Sequence, residues 1–160
     1  MKQATAQARV VGRISAEEAV RRLDAPLTAL MSHPVVCVNP HDSAEAALRL
    51  LVENGISGLP VVDAQRRPIG MISRADLLEE RLEALTEGEL GSPPLVRDLM
   101  TQQAVSLPET ALVREAASLM ASYGMHRVPV LGATGEVVGI VSTLDVLRWI
   151  AGTGELASGR

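Results

Sequence analysis

Shifted by 69 positions, the sequence falls on itself without a gap. Met31 lands on Met100, Val36 on Val105, Gly55 on Gly124, Pro60 on Pro129, Val61 on Val130, Gly70 on Gly139, Ser73 on Ser142 and Asp76 on Asp145. An internal repeat of this kind constrains the architecture more than any local propensity, because both copies must fold the same way. A unit of about half of 160 residues buries too little surface alone. Two copies packed about a pseudo-twofold axis are the simplest solution.

The hydrophobic period changes in the same order within each copy. In the first, Pro40-His41-Asp42-Ser43 is a turn and N-cap signal, and Ala44, Ala47, Leu48 and Leu51 follow at helical spacing up to a stop at Asn54-Gly55. Leu59 to Val62 and Ile69 to Ile72 are short apolar runs with a polar turn between them, which predicts two strands. A second helix is predicted to open at Ser73. The second copy runs likewise, with helical spacing at Val113, Ala116, Ala117 and Met120, strands at Val128 to Leu131 and Val137 to Val141, and a helix from Ser142. Short extended pieces, Val35 to Val38 and Ala104 to Leu107, precede the first helix of each. Pro60 and Pro129 lack an N–H and are expected at strand starts or edges.

The predicted fold class is therefore α/β (α+β), each copy running strand, helix, strand, strand, helix. Residues 1–26 are expected to form an extension with a short capped helix from Ser15, 27–82 the first repeat, 83–95 a linker, 96–151 the second repeat and 152–160 a flexible tail. Residues 1–10 are expected to fray as well.

Composition narrows the function. The chain is 47% apolar but 1% aromatic, with no Phe, one Trp and one Tyr, so the core must be built from Ala, Val, Leu, Ile and Met. Modules that stack bases need aromatic platforms, and a net charge of -4 supplies no basic footprint, so no nucleic acid is expected as a partner. No apolar run approaches the ~20 residues that span a bilayer, so membrane insertion is not expected. One cysteine, Cys37, allows no internal disulfide, and no cleavable leader can be read, which together predict a cytoplasmic location. The histidines His33, His41 and His126 do not fall into metal-ligand spacing with one another or with Cys37. No P-loop, glycine fingerprint, nucleophile elbow or paired carboxylates can be read, so no catalytic residues and no enzyme activity are expected.

Gly70-Met71-Ile72-Ser73-Arg74-Ala75-Asp76-Leu77-Leu78, preceded by Gly55-Ile56-Ser57-Gly58-Leu59-Pro60-Val61-Val62-Asp63, resembles one CBS motif in full. Gly139-Ile140-Val141-Ser142-Thr143-Leu144-Asp145-Val146-Leu147, preceded by Gly124-Met125-His126-Arg127-Val128-Pro129-Val130, resembles a second. The chain is thus similar to a tandem pair of CBS (cystathionine beta-synthase) domains, a Bateman module, over residues 27–150. The resemblance implies one globular module with clefts between the copies, commonly a homodimer. It further implies a regulatory ligand, AMP, ADP, ATP or S-adenosylmethionine, with no cofactor required, and a separate regulated protein whose identity is unknown.

Ser73 and Ser142 each end a predicted strand and start a helix, where free N–H groups and the positive dipole end suit a phosphate. Asp76 and Asp145, three residues on, are placed to accept from two ribose hydroxyls. The same Ser-x-x-Asp spacing is also that of a capping box, worth about 0.5–2 kcal/mol to the helix, and the spacing leaves both roles open. The copies differ most at Ser57-Gly58 against His126-Arg127. Arg127 is a candidate for paired charge-assisted bonds to phosphate, with His126 as an added donor. The resemblance implies that Arg127 serves the cleft of Asp76 and not that of Asp145. Val36, Val105, Ile56 and Met125 are candidate walls for an adenine, or simple core residues. The competing function is a ligand-free docking or dimerisation module whose contact faces are Leu77, Leu78 and Leu82 with Val146, Leu147 and Ile150.

Overall fold

The structure, a computed structural model, describes residues 14–87 and 94–153 and, of residues 81–87, the backbone course only. The ends expected to fray lie outside the described residues but for 152 and 153, and so does the turn-rich part of the linker, 88–93. A helix α1 (Ala16–Leu23) and a 3-10 turn (Leu27–Ala29) lead into α2 (Ala44–Glu53), β1 (Gly58–Val62), β2 (Pro68–Ser73) and α3 (Arg74–Glu87). The second copy follows as α4 (Val96–Leu99), β3 (Thr101–Gln102), β4 (Leu107–Pro108), α5 (Val113–Tyr123), β5 (Arg127–Leu131), β6 (Val137–Ser142) and α6 (Thr143–Ala151). The fold is mixed helix and sheet, as the alternating periods require.

The two hairpins are the same structure twice. β1 pairs antiparallel with β2 from Gly58↔Ser73, and β5 with β6 from Arg127↔Ser142, with a register shift at the equivalent places, Val61/Val62 and Val130/Leu131. Val38 bridges β1 in parallel, as β4 does β5. Pro60 and Pro129 stand third in five-residue strands, not at their starts, and both strands are flanked on two sides. Pro60 tolerates this because its missing N–H lies on the Val38 side. Parallel pairing begins there only at Val38, whose N–H donates to the Pro60 carbonyl at 3.1 Å.

The repeats are not self-contained. The strand that pairs with β2 of the first copy is β3, which leads into the second, while Ser32, which leads into the first copy, pairs with Ile140 in β6 of the second. One step earlier, Ser43 bridges Leu95 and Pro26 bridges Leu112, again related by the 69-residue shift. Each lead segment therefore crosses to the opposite copy. The cores follow the crossing. Leu23, Ala25, Leu27, Leu30 and Met31 pack with Val113, Ala116, Met120, Val128, Val130, Val141 and Val146. Val96, Leu99 and Met100 pack with Val38, Ala47, Leu51, Leu59, Val61 and Ile72.

Two glycines receive the crossing methionines. A Cβ on Gly70 would fall 2.7 Å from the Thr101 carbonyl oxygen and 2.8 Å from Met100 Sδ; on Gly139 it would fall 2.8 Å from Met31 Cγ and nearer still to its Sδ. α1 is fastened to α6 by reciprocal capping. Arg22 Nη1 donates to the carbonyls of Trp149 (2.9 Å) and Ile150 (3.3 Å), while Trp149 Nε1 donates to the Arg22 carbonyl at 2.8 Å. The lone tryptophan thus satisfies the end of one helix and the arginine the end of another.

The expected contact faces need correction. Leu77 and Val146 are buried and belong to the cores, being the fourth residues of helices whose first turn faces inward, and Ile150 packs on the second core. The Leu82 side chain lies outside what is described. Leu78 and Leu147 are exposed, joined by Leu144 and, on α2, by Val52 and by Leu48, one of the four residues read at helical spacing. Among the described residues no helix is long and apolar enough to cross a membrane.

Gly70→Ala is expected to destabilise the protein by about 1–3 kcal/mol, because a backbone carbonyl must move to admit the methyl. Gly139→Ala should cost less, since what it meets is a flexible methionine; urea midpoints of the two variants check the order. Arg22→Ala removes charge-assisted bonds worth about 1–3 kcal/mol and should shift Trp149 emission to the red.

Candidate functional site

Both Ser-x-x-Asp junctions form closed boxes. Ser73 donates to Asp76 Oδ2 from its N–H (2.7 Å) and its hydroxyl (2.8 Å), and the Asp76 N–H returns to Ser73 Oγ at 3.4 Å. Ser142 and Asp145 repeat this at 2.8, 2.6 and 3.2 Å. The next amide is taken as well, Arg74 N–H by the Ser57 carbonyl (3.1 Å) and Thr143 N–H by that of His126 (3.0 Å). Three of the amides at each junction are therefore engaged inside the protein. The expectation of open N–H groups awaiting a phosphate does not describe these helix starts. Both carboxylates use Oδ2 for their boxes, and among the described residues Oδ1 of each makes no hydrogen bond.

The two junctions meet at the starts of their hairpins. Ser57 precedes β1 and Gly58 opens it, as His126 precedes β5 and Arg127 opens it, and the Arg127 side chain spans the gap, its Nη2 donating to Ser57 Oγ. It passes close over a glycine: a Cβ on Gly58 would lie 3.3 Å from Arg127 Nη1, a tight contact with the end of a flexible side chain. Burial pushes the Arg127 pKa down from its usual value; the Asp145 carboxylate opposes this and the Arg74 guanidinium adds to it. Arg127 thus donates its hydrogen bond to one repeat and has a compensating carboxylate, Asp145, in its own. Its charge environment does not single out Asp76.

The remaining candidates scatter around this seam. His126 is exposed and enters through its carbonyl. Val36 and Ile56 are partly buried against the first core and Met125 against the second, whereas Val105 is exposed. Arg74 was not singled out by sequence reasoning. Its Nη2 donates to the Leu51 carbonyl at the end of α2 (3.1 Å), and the available signal was that the equivalent residue in the other copy is Thr143. Burial raises the Cys37 thiol above its ordinary range, with Arg66 opposing, so it is held protonated and makes a poor nucleophile. Among the described residues no three His, Cys, Asp or Glu side chains group as metal ligands.

Known proteins can now be set beside this geometry. The sequence profile of the CBS domain matches residues 27–83 and 96–152. CBSX2, solved in complex with AMP, superposes with a TM-score of 0.66 at 30% identity, over 77% of this chain and 93% of its own. The CBS domain pair of protein MJ0100, solved in complex with 5′-methylthioadenosine and S-adenosyl-L-methionine, gives 0.69 at 25% identity, over 81% and 98%. Inosine-5′-monophosphate dehydrogenase of Korarchaeum cryptofilum is 36% identical over 112 residues, which are 70% of this chain and 21% of that enzyme. The chain spans between about a fifth and somewhat over half of the length of the first curated relatives it matches, 21% to 57%. The two matched stretches are the two copies of the repeat, and the chain belongs to the CBS domain family, carrying two CBS domains in tandem.

Proposed function

We propose that the chain is a regulatory module that binds an adenine-containing ligand between its repeats, does no catalysis and passes the binding on to a partner protein. The observation that carries this reading is that two Ser-x-x-Asp junctions, one from each repeat, meet at a single seam tied by Arg127 and Ser57. In this arrangement Oδ1 of Asp76 or Asp145 takes the ribose hydroxyls while Oδ2 keeps its helix capped, so capping and binding share one side chain. The extended segments 31–38 and 100–107, with Val36, Val105, Ile56 and Met125 beside them, supply backbone amides and apolar wall for the adenine. That CBSX2 was solved with AMP, and the MJ0100 pair with two thioether or sulfonium nucleosides, supports adenosine as the common element.

Because both lead segments run from one repeat's sheet into the other repeat, a ligand pressed against them acts on the packing of both. The regulated partner is a separate protein or a further part of the same one, and the setting is the cytoplasm, where a single unpaired thiol is ordinary. Leu78 and Leu147, exposed at equivalent positions of α3 and α6, favour a homodimer joined through these helices.

In thermal melts, the bound adenine ligand at 100 times its Kd should add roughly 2.7 kcal/mol, a shift of several degrees. Asp76→Asn or Asp145→Asn should abolish it at the site concerned, with a loss of about 0.5–2 kcal/mol in the ligand-free protein from the weakened cap. No shift with AMP, ADP, ATP, S-adenosylmethionine or methylthioadenosine would sink the sensor reading. Light scattering behind a sizing column should show a dimer that Leu78→Glu with Leu147→Glu converts to monomer; a wild type already monomeric overturns the dimer.

A further inference from the structure

We propose that two copies of the chain join head to tail, α3 of the first repeat in one copy lying on α6 of the second repeat in the other. This rests on the homodimer reading above and adds which repeat meets which.

Among the described residues, Leu78 and Leu147 are the one pair of exposed large apolar residues that coincide under the 69-residue shift. The residue that follows each is charged, and there the shift reverses the sign, setting Glu79 on Arg148. Both charges are exposed and lie on the outward face of their helices. Ala75, Leu78 and Glu79 share one side of α3 at i, i+3 and i+4, and Leu144, Leu147 and Arg148 share the same side of α6, while Leu77 and Val146 turn into the cores. Among the described residues neither Glu79 nor Arg148 has an ion-pair partner within its own chain.

The neighbouring helices carry the same bias. α2 packs against α3 and α5 against α6, and the shift sets Glu45 of α2 on Arg114 of α5. Among the described side chains, Glu45, Glu53 and Glu79 against Arg49 and Arg74 leave the exposed charges of the first helix pair net negative. Arg114 and Arg148 against Glu115 leave those of the second net positive. Each pair also offers exposed apolar surface, Leu48, Val52 and Leu78 on one and Leu144 and Leu147 on the other.

A twofold dimer joined through these helices can pair like with like or each with the other. Like on like brings two copies of Glu79 together at one contact and two copies of Arg148 at the second, each beside apolar surface that excludes water and strengthens the repulsion. Head to tail brings Glu79 to Arg148 at both contacts, and a net negative face meets a net positive one. Leu78 of one copy then covers Leu147 of the other, so the apolar burial is the same in either arrangement and the charges decide between them.

Sedimentation equilibrium on the full chain tests this, with melting curves to show that each variant is folded. Glu79→Arg alone or Arg148→Glu alone should weaken the dimer about fivefold or more, because each sets like charges against each other at both contacts. The two changes in one chain should return the affinity to within about twofold of wild type. Glu79→Gln and Arg148→Gln give a second reading whose sign differs between the arrangements. Head to tail loses an attraction and the dimer weakens; like on like loses a repulsion and the dimer tightens. Raising the salt should weaken the wild-type dimer. A dimer that tightens in the glutamine variants, or that the single reversals leave unchanged, overturns the head-to-tail pairing while the homodimer reading stands. A wild type that is monomeric at every concentration overturns both.

Discussion

Neither repeat can complete its own sheet, and the rest of the structure depends on that. β2 is paired on its outer side by a strand leading into the second copy, and β6 by the residue leading into the first. The crossing segments bring apolar side chains with them, Met31 and Met100 among them, each over a glycine that leaves no room for a Cβ. With almost no aromatic residues to fill a core, density must come from close backbone approach and flexible thioethers. The Gly70/Met100 and Gly139/Met31 contacts supply both, and they make two small units into one cooperative body.

The exchange also decides where chemistry can happen. Because each lead segment is anchored at one end in the opposite sheet, the strand starts of the two hairpins are drawn toward each other, and Ser57, just ahead of β1, comes within hydrogen-bonding reach of Arg127, the first residue of β5. The helix starts that follow β2 and β6 are capped by their own serines and aspartates. Their amides are largely engaged, which leaves side chains, not the helix dipole, to define what the seam recognises. This differs from a loop that cradles phosphate with free backbone N–H groups. On the reading proposed above, recognition at a capped junction comes from the carboxylate oxygens left over.

Much of the fold was legible because duplication prints the same pattern twice. Helix and strand positions, the caps at Ser43 and Ser142 and the stops at Gly55 and Gly124 all follow from period and turn chemistry. What the pattern hid was the exchange. Met31 and Met100 coincide under the shift whether each packs on its own copy or on the other, so sequence symmetry carries no information about which glycine receives them. Leu77 and Val146 were misplaced because each is followed by a leucine, Leu78 and Leu147, and two adjacent apolar residues on a helix fit the inward face almost equally well. At the site, the Ser-x-x-Asp pairs were legible as box or ligand group, and the structure shows the box formed in both. Arg74 was overlooked because it sits inside the motif at a position where residue type is not prescribed.

The places where the copies disagree are the more informative ones. A scaffold built from two equivalent halves needs its matched positions to match: the glycines under the methionines, the serines and aspartates at the junctions, the third-position prolines. It does not need Gly58 to face Arg127, Ser57 to face His126, or Arg74 to face Thr143. These three mismatches lie within a few residues of one another around the seam, where Ser57 accepts from Arg74 and Arg127 together. A symmetric pair of serines and glycines there would pack with less buried charge. A half-buried guanidinium with spare donors adds a desolvation cost that one hydrogen bond to a hydroxyl offsets only in part.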